Sequence, residues 1–220
     1  MMLSCLTGAS CLFAIVEIAF HYRLCKIHEV VDRENDQSSI FFDCARQHAF
    51  NGSLKAGPVV GLTAILDYWE SNSSRKDDRW LAYALATAHH ETDRTFRGIE
   101  EYGKGRNKEY GRIDPETGKA YYGRGLVQLT WRKNYKKMGD LLGVDLVRRP
   151  EQALDIKIAT QILFVGMTRG SFTNKKFADY FNAETEDWVN ARRIVNGKDK
   201  ANLIAGYGKQ YYAAISYTTG

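Results

Sequence analysis

Cysteine is scarce in this chain and absent from most of its length. The sequence has 220 residues and four cysteines, of which Cys44 is the last. The other three, Cys5, Cys11 and Cys25, lie close to the N-terminus. Disulfides therefore cannot cross-link the body of the protein, which favours a fold made in a reducing compartment and stabilised by packing.

Two further kinds of site are excluded by what their motifs lack. A zinc-protease motif at His90 would need a second histidine at position 94, where the chain has Arg94. The segment 98–105 resembles a phosphate-binding loop, but no serine or threonine follows its lysine, and it contains two carboxylates that would repel phosphate. We therefore predict neither a metal site nor a cofactor.

The composition has no extreme that would indicate disorder. Hydrophobic residues make up 44% and charged residues 26% of the chain, which predicts one globular unit with a sizeable core. The formal net charge of +5 weakly favours an anionic surface such as a cell wall. The 13 tyrosines and four tryptophans are more informative, because flat aromatic rings offer faces on which sugars stack.

The first 39 residues are a different kind of sequence. Residues 1–20 are largely apolar, contain Glu17, and are followed rather than preceded by basic residues. This pattern fits a membrane anchor, an atypical signal or an extension equally well, and as an anchor it would leave the rest of the chain in the cytoplasm. Residues 31–39 are polar and indicate a linker. We predict an N-terminal segment over 1–39 and a catalytic domain over 40–220, with the route of export left open.

From residue 40 the spacing of apolar residues is mainly helical. In one helix, Leu81, Leu85 and Ala88 recur at three- and four-residue steps. A turn at 114–118 predicts a small β-hairpin between residues 109–113 and 120–124. The predicted helices are 41–50, 58–69, one capped by Asp77 or Asp78, 131–142 capped by Thr130, 150–168, 173–181, 184–195 and 200–217.

The candidate chemistry lies between residues 90 and 130. Glu91 continues the apolar face of its helix and would point into the interior or a cleft, where partial desolvation keeps a proton on a carboxyl. Glu100 and Glu101 follow shortly and precede a glycine-rich block. Cutting a glycosidic bond needs one carboxyl to protonate the leaving oxygen and another to activate water or attack the sugar. The spacing predicts a glycosidase, and a buried Glu91 paired with His90 or Arg94 is the structural alternative.

Four segments carry a resemblance to a known family. They are Ala-Leu-Ala-Thr-Ala-His-His-Glu-Thr at 84–92, Ile-Glu-Glu-Tyr-Gly at 99–103, the tyrosine and glycine block at 121–130, and Arg-Ile-Val-Asn-Gly at 193–197. With them, residues 41–212 resemble the catalytic domain of family 19 glycoside hydrolases, the chitinase and endolysin group, especially its short bacterial and phage-like members. The resemblance implies a mainly α, two-lobed, lysozyme-like fold with a central substrate cleft.

The resemblance also implies roles for individual residues. Glu91 corresponds to the general acid, Glu100 is the better match to the general base with Glu101 close behind, and Thr130 corresponds to the hydroxyl that holds the attacking water. The family inverts at the anomeric carbon, which requires carboxyls ~6.5 to 9.5 Å apart. The implied substrate-binding residues are His90, Tyr122, Gln128, Asn134 and Asn196.

Two departures from the family pattern affect the details. The stretch between the two acids is much shorter than in plant chitinases and their cysteines are missing, so loops that build outer sugar subsites are absent. Such a cleft can accept peptide-bearing strands. Lys200 and Leu203 stand where relatives often have an arginine that supports the acidic pair. Arg192 and Arg193 can take that place, or they can be solvated helix charges.

We therefore predict a monomeric hydrolase of β-1,4 bonds next to N-acetylglucosamine, in chitin or in peptidoglycan. A sugar-binding protein that keeps the cleft without the reaction is the main alternative. A nucleic-acid surface formed by basic residues within 104–112 and 132–137 is less favoured, because such residues are usually solvated. We expect no nucleic-acid partner, and membrane contact only through the N-terminal segment.

Overall fold

The structure is a computed structural model that describes residues 38–72 and 77–216. The predicted apolar segment and most of the predicted linker lie outside these residues. The last two linker residues, Ser38 and Ser39, are helical. Within the described ranges, no helix combines the length and apolar character needed to cross a membrane.

Helices dominate the architecture, so the predicted mainly α class is confirmed. The α-helices are α1 (38–48), α2 (Ala56–Asn72), α3 (Asp78–Glu91), α4 (Arg132–Leu142), α5 (Ile156–Arg169) and α6 (Ala201–Ser216). Short 3-10 helices cover Glu109–Gly111, Pro150–Leu154, Phe177–Asp179 and Asn190–Ile194. A two-stranded antiparallel sheet pairs β1 (Ile99–Glu100) with β2 (Arg124–Gly125).

Helix α3 is the central element of the core. It begins at the predicted cap Asp77, whose carboxylate accepts a hydrogen bond from the backbone N–H of Arg79 at 3.0 Å. Every residue from Leu81 to His89 is buried. Helix α6 packs along α3, and α2 and α5 also contact it. Because α3 is enclosed on all sides, its C-terminal end is held firmly against the core.

The turn after α3 is locked by a buried threonine. The Thr92 hydroxyl donates to the carbonyl of Ala88 at 2.7 Å and accepts from the N–H of Phe96 at 2.9 Å. Asp93 and Arg94 follow with φ values of 48° and 64°, in the left-handed region that non-glycine residues rarely adopt. This turn directs the chain from the end of α3 into β1.

The predicted β-hairpin is wrong in its position. Residues 114–118 do form a closed turn, in which the N–H of Asp114 donates to the carbonyl of Lys119 at 2.8 Å. The segment before that turn forms a 3-10 helix over Glu109–Gly111 instead of a strand. The strands that do pair are β1 and β2, which are separated by 23 residues, 101–123.

Several helix predictions also need correction. The predicted helix 150–168 is two elements, because the Asp155 carboxylate accepts from the N–H groups of Lys157 and Ile158 and starts α5 as an N-cap. Only short 3-10 turns occur within 173–181 and 184–195. Thr130 does not cap α4, whose N-cap is Trp131, and its hydroxyl donates to the carbonyl of Gln128 at 2.7 Å.

Candidate active site

A cleft of about 540 Å³ lies between the end of α3 and the segment that leads from β1 to the start of α4. Six of the nine predicted site residues line it: Glu91, Glu101, Gln128, Thr130, Asn134 and Asn196. The other three, His90, Glu100 and Tyr122, are not among its lining residues in the described part of the chain. Chain segments far apart in sequence therefore bring most of the predicted site together.

Glu91 reaches the cleft from the last turn of α3. Its side chain is 15% exposed, and its Oε1 accepts a hydrogen bond from Nη1 of Arg192 at 2.6 Å. The partner is thus Arg192 and not His90 or Arg94. This ion pair with a buried guanidinium differs from the apolar setting expected from the sequence. The second carboxyl oxygen, Oε2, makes no hydrogen bond within residues 38–72 and 77–216.

Arg192 is one of the two arginines whose role the sequence left open. Its side chain is only 4% exposed, and its Nε donates to the carbonyl of Asp199 at 3.1 Å. It lies in the 3-10 helix Asn190–Ile194, immediately before the cleft residues Val195 and Asn196. Arg192 therefore joins this C-terminal segment to the end of α3.

Glu101 enters the cleft from the residue that follows β1. Its backbone N–H donates to the carbonyl of Gly123 at 2.8 Å, which extends the pairing of β1 with β2. Its carboxylate accepts from the Tyr110 hydroxyl at 3.0 Å and from the N–H of Gly123 at 3.1 Å. No arginine or lysine of the described chain forms an ion pair with it. Burial and the bond to Glu101 raise the pKa of Tyr110, so this donor keeps its proton.

Glu100, the residue that the sequence favoured as base, is directed away from the cleft. Its carboxylate accepts from the Tyr122 hydroxyl at 2.5 Å and pairs with Lys104 at 2.8 Å, while Arg124 lies 3.6 Å away. Hydrogen bonds from Lys104 and Tyr122 lower the pKa of Glu100. Arg124 also stacks on the Tyr122 ring, 3.7 Å from its centroid, and donates to the Tyr135 hydroxyl. Glu100 is thus part of a polar cluster behind β1.

Three polar side chains within residues 128–134 also line the cleft. Gln128 has a φ of 52°, and its amide nitrogen donates to the carbonyls of Gly125 at 3.2 Å and Ile99 at 3.3 Å. The Asn134 amide nitrogen donates to the carbonyl of Thr130 at 2.8 Å. Both N–H groups of the Gln128 amide are used inside the protein, whereas Asn134 keeps one N–H for a ligand. The amide oxygens and the Thr130 lone pairs can accept hydrogen bonds from a ligand.

Aromatic rings that the sequence analysis did not assign complete the cleft. Tyr110, Trp131 and Phe172 all line it. Trp131 is 40% exposed, and its ring meets that of Tyr110 at a centroid distance of 5.3 Å and an angle of 74°. The sequence indicated these rings only through its general abundance of tyrosine and tryptophan, which predicted sugar-stacking faces without assigning residues. In the described part of the chain, no three His, Cys, Asp or Glu side chains are grouped so that they could hold a metal ion.

The fold has a counterpart among solved structures. It is similar to chitinase C from Streptomyces griseus, with a TM-score of 0.57, 20% sequence identity, and coverage of 79% of this chain and 75% of that one. At this level of identity the likeness shows the fold alone. The mainly helical chain with a cleft between distant segments therefore has the lysozyme-like architecture of a chitinase.

Family membership rests on the sequence. The profile of family 19 glycoside hydrolases, described as chitinase class I, matches residues 82–208, which is more than half of the chain. The chain belongs to this family. The match begins inside α3 and ends inside α6, so it includes every residue that lines the cleft.

Individual relatives match over shorter lengths. An endochitinase of Arabidopsis thaliana is 30% identical over 124 residues, which are 54% of this chain and 42% of that protein. Chitinase 8 of Oryza sativa subsp. japonica is 37% identical over 103 residues, 47% of this chain and 37% of that protein. Inactive chitinase-like protein 1 of Hevea brasiliensis is 53% identical over 34 residues, 16% of this chain and 11% of that protein. The chain thus spans less than half the length of each of these three proteins.

Proposed function

We propose that this chain is an inverting endo-hydrolase of β-1,4 glycosidic bonds next to N-acetylglucosamine, in chitin or in peptidoglycan. One observation carries the proposal: Glu91 and Glu101 line the same cleft from two different elements. Acid-assisted attack by water requires two carboxyls at one substrate groove, one to protonate the leaving oxygen and one to deprotonate the water. Different partners for the two carboxyls fit these different roles. The relatives named endochitinase and the family membership support the chemistry of the bond.

Glu91 acts as the general acid in this proposal. Its Oε1 is fixed by Arg192, and a protonated carboxyl can still accept a hydrogen bond at that oxygen. The proton for the leaving group is then on Oε2, which has no hydrogen-bond partner in the described chain. Arg192 therefore selects which of the two oxygens donates to the glycosidic bond.

Glu101 acts as the general base. The Tyr110 hydroxyl and the N–H of Gly123 both donate to its carboxylate and hold it at the cleft, and no cation of the described chain pairs with it. The Thr130 hydroxyl donates to a backbone carbonyl, so its oxygen is free to accept a hydrogen bond from a water molecule. Thr130 and Glu101 together would then hold and deprotonate the attacking water.

Substrate binding is assigned to the remaining groups of the cleft. The amides of Gln128, Asn134 and Asn196 would bind N-acetyl groups or sugar hydroxyls. The exposed face of Trp131 would stack on a sugar ring. His90 and Tyr122 do not line the cleft and receive no binding role here. The reaction needs no cofactor, no nucleic acid and no second copy of the chain.

The direct test is the substitution Glu91→Gln. It removes the transferable proton but keeps an oxygen that can accept from Arg192, so the protein should fold normally. We expect turnover of chitin oligomers or of solubilised peptidoglycan to fall by ~10² or more. The measurement is the initial rate of new reducing ends, with circular dichroism as the control for folding. Unchanged turnover in this variant would remove Glu91 from its role.

A sugar-binding protein without the reaction is a second candidate, and two observations favour it. Glu91 is paired with a buried arginine, and one relative is named an inactive chitinase-like protein. On this reading the wild-type protein binds chitin oligomers but releases no new ends. Titration calorimetry together with the rate measurement separates the two candidates, because only the hydrolase loses turnover in Glu91→Gln while keeping its affinity.

A further inference from the structure

A loop lies beside the cleft, and only one of its residues, Tyr110, has a role in the proposed reaction. It covers residues 102–113, between Glu101 and the closed turn that begins at Asp114, and is called here the 102–113 loop. Its Tyr110 lines the cleft and contacts the ring of Trp131, which precedes α4. This contact places the 102–113 loop and the first turn of α4 side by side at the mouth of the cleft.

The cations at this mouth differ in whether they are already paired. Lys104 pairs with Glu100, and Lys136 pairs with Asp140. Arg132 likewise pairs with two acids, those of Asp114 and Glu116. Five exposed cations form no ion pair within residues 38–72 and 77–216, and one of them, Lys137, donates to the carbonyl of Ser171; the five are Arg106, Lys108, Arg112, Lys133 and Lys137. One exposed acid, Glu109, lies among them, so the rim carries a local excess of positive charge.

The same loop carries exposed apolar side chains at both of its ends. Tyr102 is 85% exposed and Ile113 is 66% exposed, the two highest values for large hydrophobic residues in the described chain. A tyrosine ring combines an apolar face with a polar edge and suits contact with a sugar or a peptide. The loop therefore presents both cations and apolar surface to the solvent next to the cleft.

The backbone of the 102–113 loop is held in one shape. Gly105 has a φ of 67°, and a Cβ on Gly111 would lie only 2.0 Å from the carbonyl oxygen of Gly105. The N–H of Lys104 donates to the carbonyl of Glu101, and that of Gly111 to the carbonyl of Lys108. A loop fixed in this way loses little backbone entropy when its side chains bind a partner.

We propose that the 102–113 loop and Lys133 form a docking surface for a glycan strand that carries carboxylates, namely a peptide-bearing strand of a bacterial cell wall. Unmodified chitin is uncharged and offers these cations no partner. Free carboxylates on peptide stems would pair with them while the sugar backbone occupies the cleft. The inference rests on the proposed function, since it names the substrate class of that cleft.

The first experiment compares two soluble polymers with the same backbone. Glycol chitin is neutral and carboxymethyl chitin is anionic. At low salt we expect the wild-type protein to have a KM about tenfold lower for the anionic polymer, as three exposed ion pairs would give. The triple variant K108Q/R112Q/K133Q should lose this difference while kcat stays unchanged. The preference of the wild-type protein should also fade as salt screens the charges.

A matched control variant distinguishes the effect of the rim cations on KM from the effect of the protein's net charge. The variant K55Q/K157Q/K209Q removes the same three charges from exposed positions that do not line the cleft. It should keep the wild-type preference for the anionic polymer. Equal KM values for both polymers in the wild-type protein, or the same loss in the control variant, would overturn the proposal.

Binding is measured as well, so that a failure of hydrolysis does not hide the result. In native gels containing each polymer, carboxymethyl chitin should retard the wild-type and control proteins but not the triple variant. If neither of these polymers nor purified peptidoglycan is hydrolysed, the proposed function fails, while the retardation still decides whether the rim binds carboxylates. Equal retardation of wild type and triple variant would contradict the docking surface.

The source of the carboxylates is tested with the wall itself. Purified peptidoglycan is compared with the same material after its free carboxyls have been converted to amides with a carbodiimide and an excess of ammonium chloride. We expect amidation to reduce the sedimented fraction of wild-type protein several-fold and to leave that of K108Q/R112Q/K133Q unchanged. Binding that is insensitive to amidation would exclude the peptide stems as the partner.

Discussion

At the scale of single residues, the two adjacent acids Glu100 and Glu101 have opposite surroundings. Neighbouring side chains of an extended strand point to opposite faces, so only one of the pair can enter the cleft. Glu101 lines the cleft, whereas Glu100 accepts from Tyr122 and Lys104 behind the sheet. Counting residues back from the tyrosine block cannot detect this difference, because the choice depends on the pairing of Ile99 with Gly125.

This difference gives a direct prediction for the general base. Glu101→Gln should lower turnover by ~10² or more, whereas Glu100→Gln should keep most of it, because glutamine still accepts from Tyr122. The measurement is kcat for both variants on one soluble substrate. As a further check, azide should partly restore Glu101→Ala, since azide is already ionised and needs no base. A larger loss in Glu100→Gln than in Glu101→Gln would reverse the assignment.

His89 provides a prediction about stability. Its side chain is buried beside Tyr211, whose hydroxyl lies 2.8 Å from Nδ1, and burial lowers the pKa of His89 to about 3. The unfolded chain takes up a proton as the pH falls through 6.5, while the folded chain does not do so until about pH 3. The lowered pKa therefore costs stability as the pH falls through this window, about 2 kcal/mol between pH 8 and pH 5.

Urea unfolding of variants at the two pH values tests this account. His89→Gln should lose less stability between pH 8 and pH 5 than the wild-type protein, whatever its absolute stability. His90→Gln, at the adjacent and more exposed position, should lose as much as wild type. An unchanged pH dependence in His89→Gln would show that the buried imidazole is not responsible.

At the scale of elements, the sequence predicts those helices whose spacing and caps agree. Helix α3 has a cap at Asp77 and a regular apolar spacing, and α6 lies within one residue of its predicted bounds. The predicted helix 150–168 fails because Asp155 offers its carboxylate to the backbone N–H groups that begin α5. Apolar spacing alone does not reveal this break, since a 3-10 turn and the following helix can bury the same side.

The misplaced hairpin has a different cause. A turn sequence does occur at 114–118, but Gly111 packs directly on Gly105, which folds the preceding segment back on itself. One long-range bond, from the N–H of Tyr121 to the carbonyl of Tyr110, links the two flanks. The cleft residues Tyr110 and Trp131 depend on this loop shape, which explains why the motifs identified Glu91 and Gln128 but not these rings.

The position of β1 gives a prediction at the same scale. A Cβ on Gly98 would lie 2.0 Å from the carbonyl oxygen of Leu154, so Gly98→Ala must displace the residue that leads into β1. We expect a loss of about 1–3 kcal/mol in the free energy of unfolding. Turnover should fall about tenfold or more, because the shift would move Glu101. Chemical unfolding and kcat measurements check both effects.

Gly103 is the matched control for this substitution. It lies on the other side of Glu101, and a Cβ there meets nothing within 4 Å. Gly103→Ala should therefore leave both stability and turnover close to wild type. Equal effects of the two substitutions would mean that the close contact of Gly98 with Leu154 does not position β1.

At the scale of the whole molecule, the fold explains why the site is assembled from distant segments. Helix α3 is enclosed by the core and fixes Glu91, while the β1–β2 sheet fixes Glu101. The buried Arg192 joins the C-terminal segment to the end of α3. Family motifs in the sequence identified most of the residues that line the cleft. The contact of Arg192 with Glu91 could be found only from the three-dimensional arrangement, because 100 residues separate the two in sequence.

The central claim is that Glu91 and Glu101 act on opposite sides of one glycosidic bond with a water molecule between them. Time-resolved proton NMR of the anomeric form released from an N-acetylglucosamine hexasaccharide, or from a soluble wall fragment, tests it most directly. Direct attack by water predicts that the α-anomer appears first and then equilibrates. Initial release of the β-anomer, or no release from either substrate, would contradict the account.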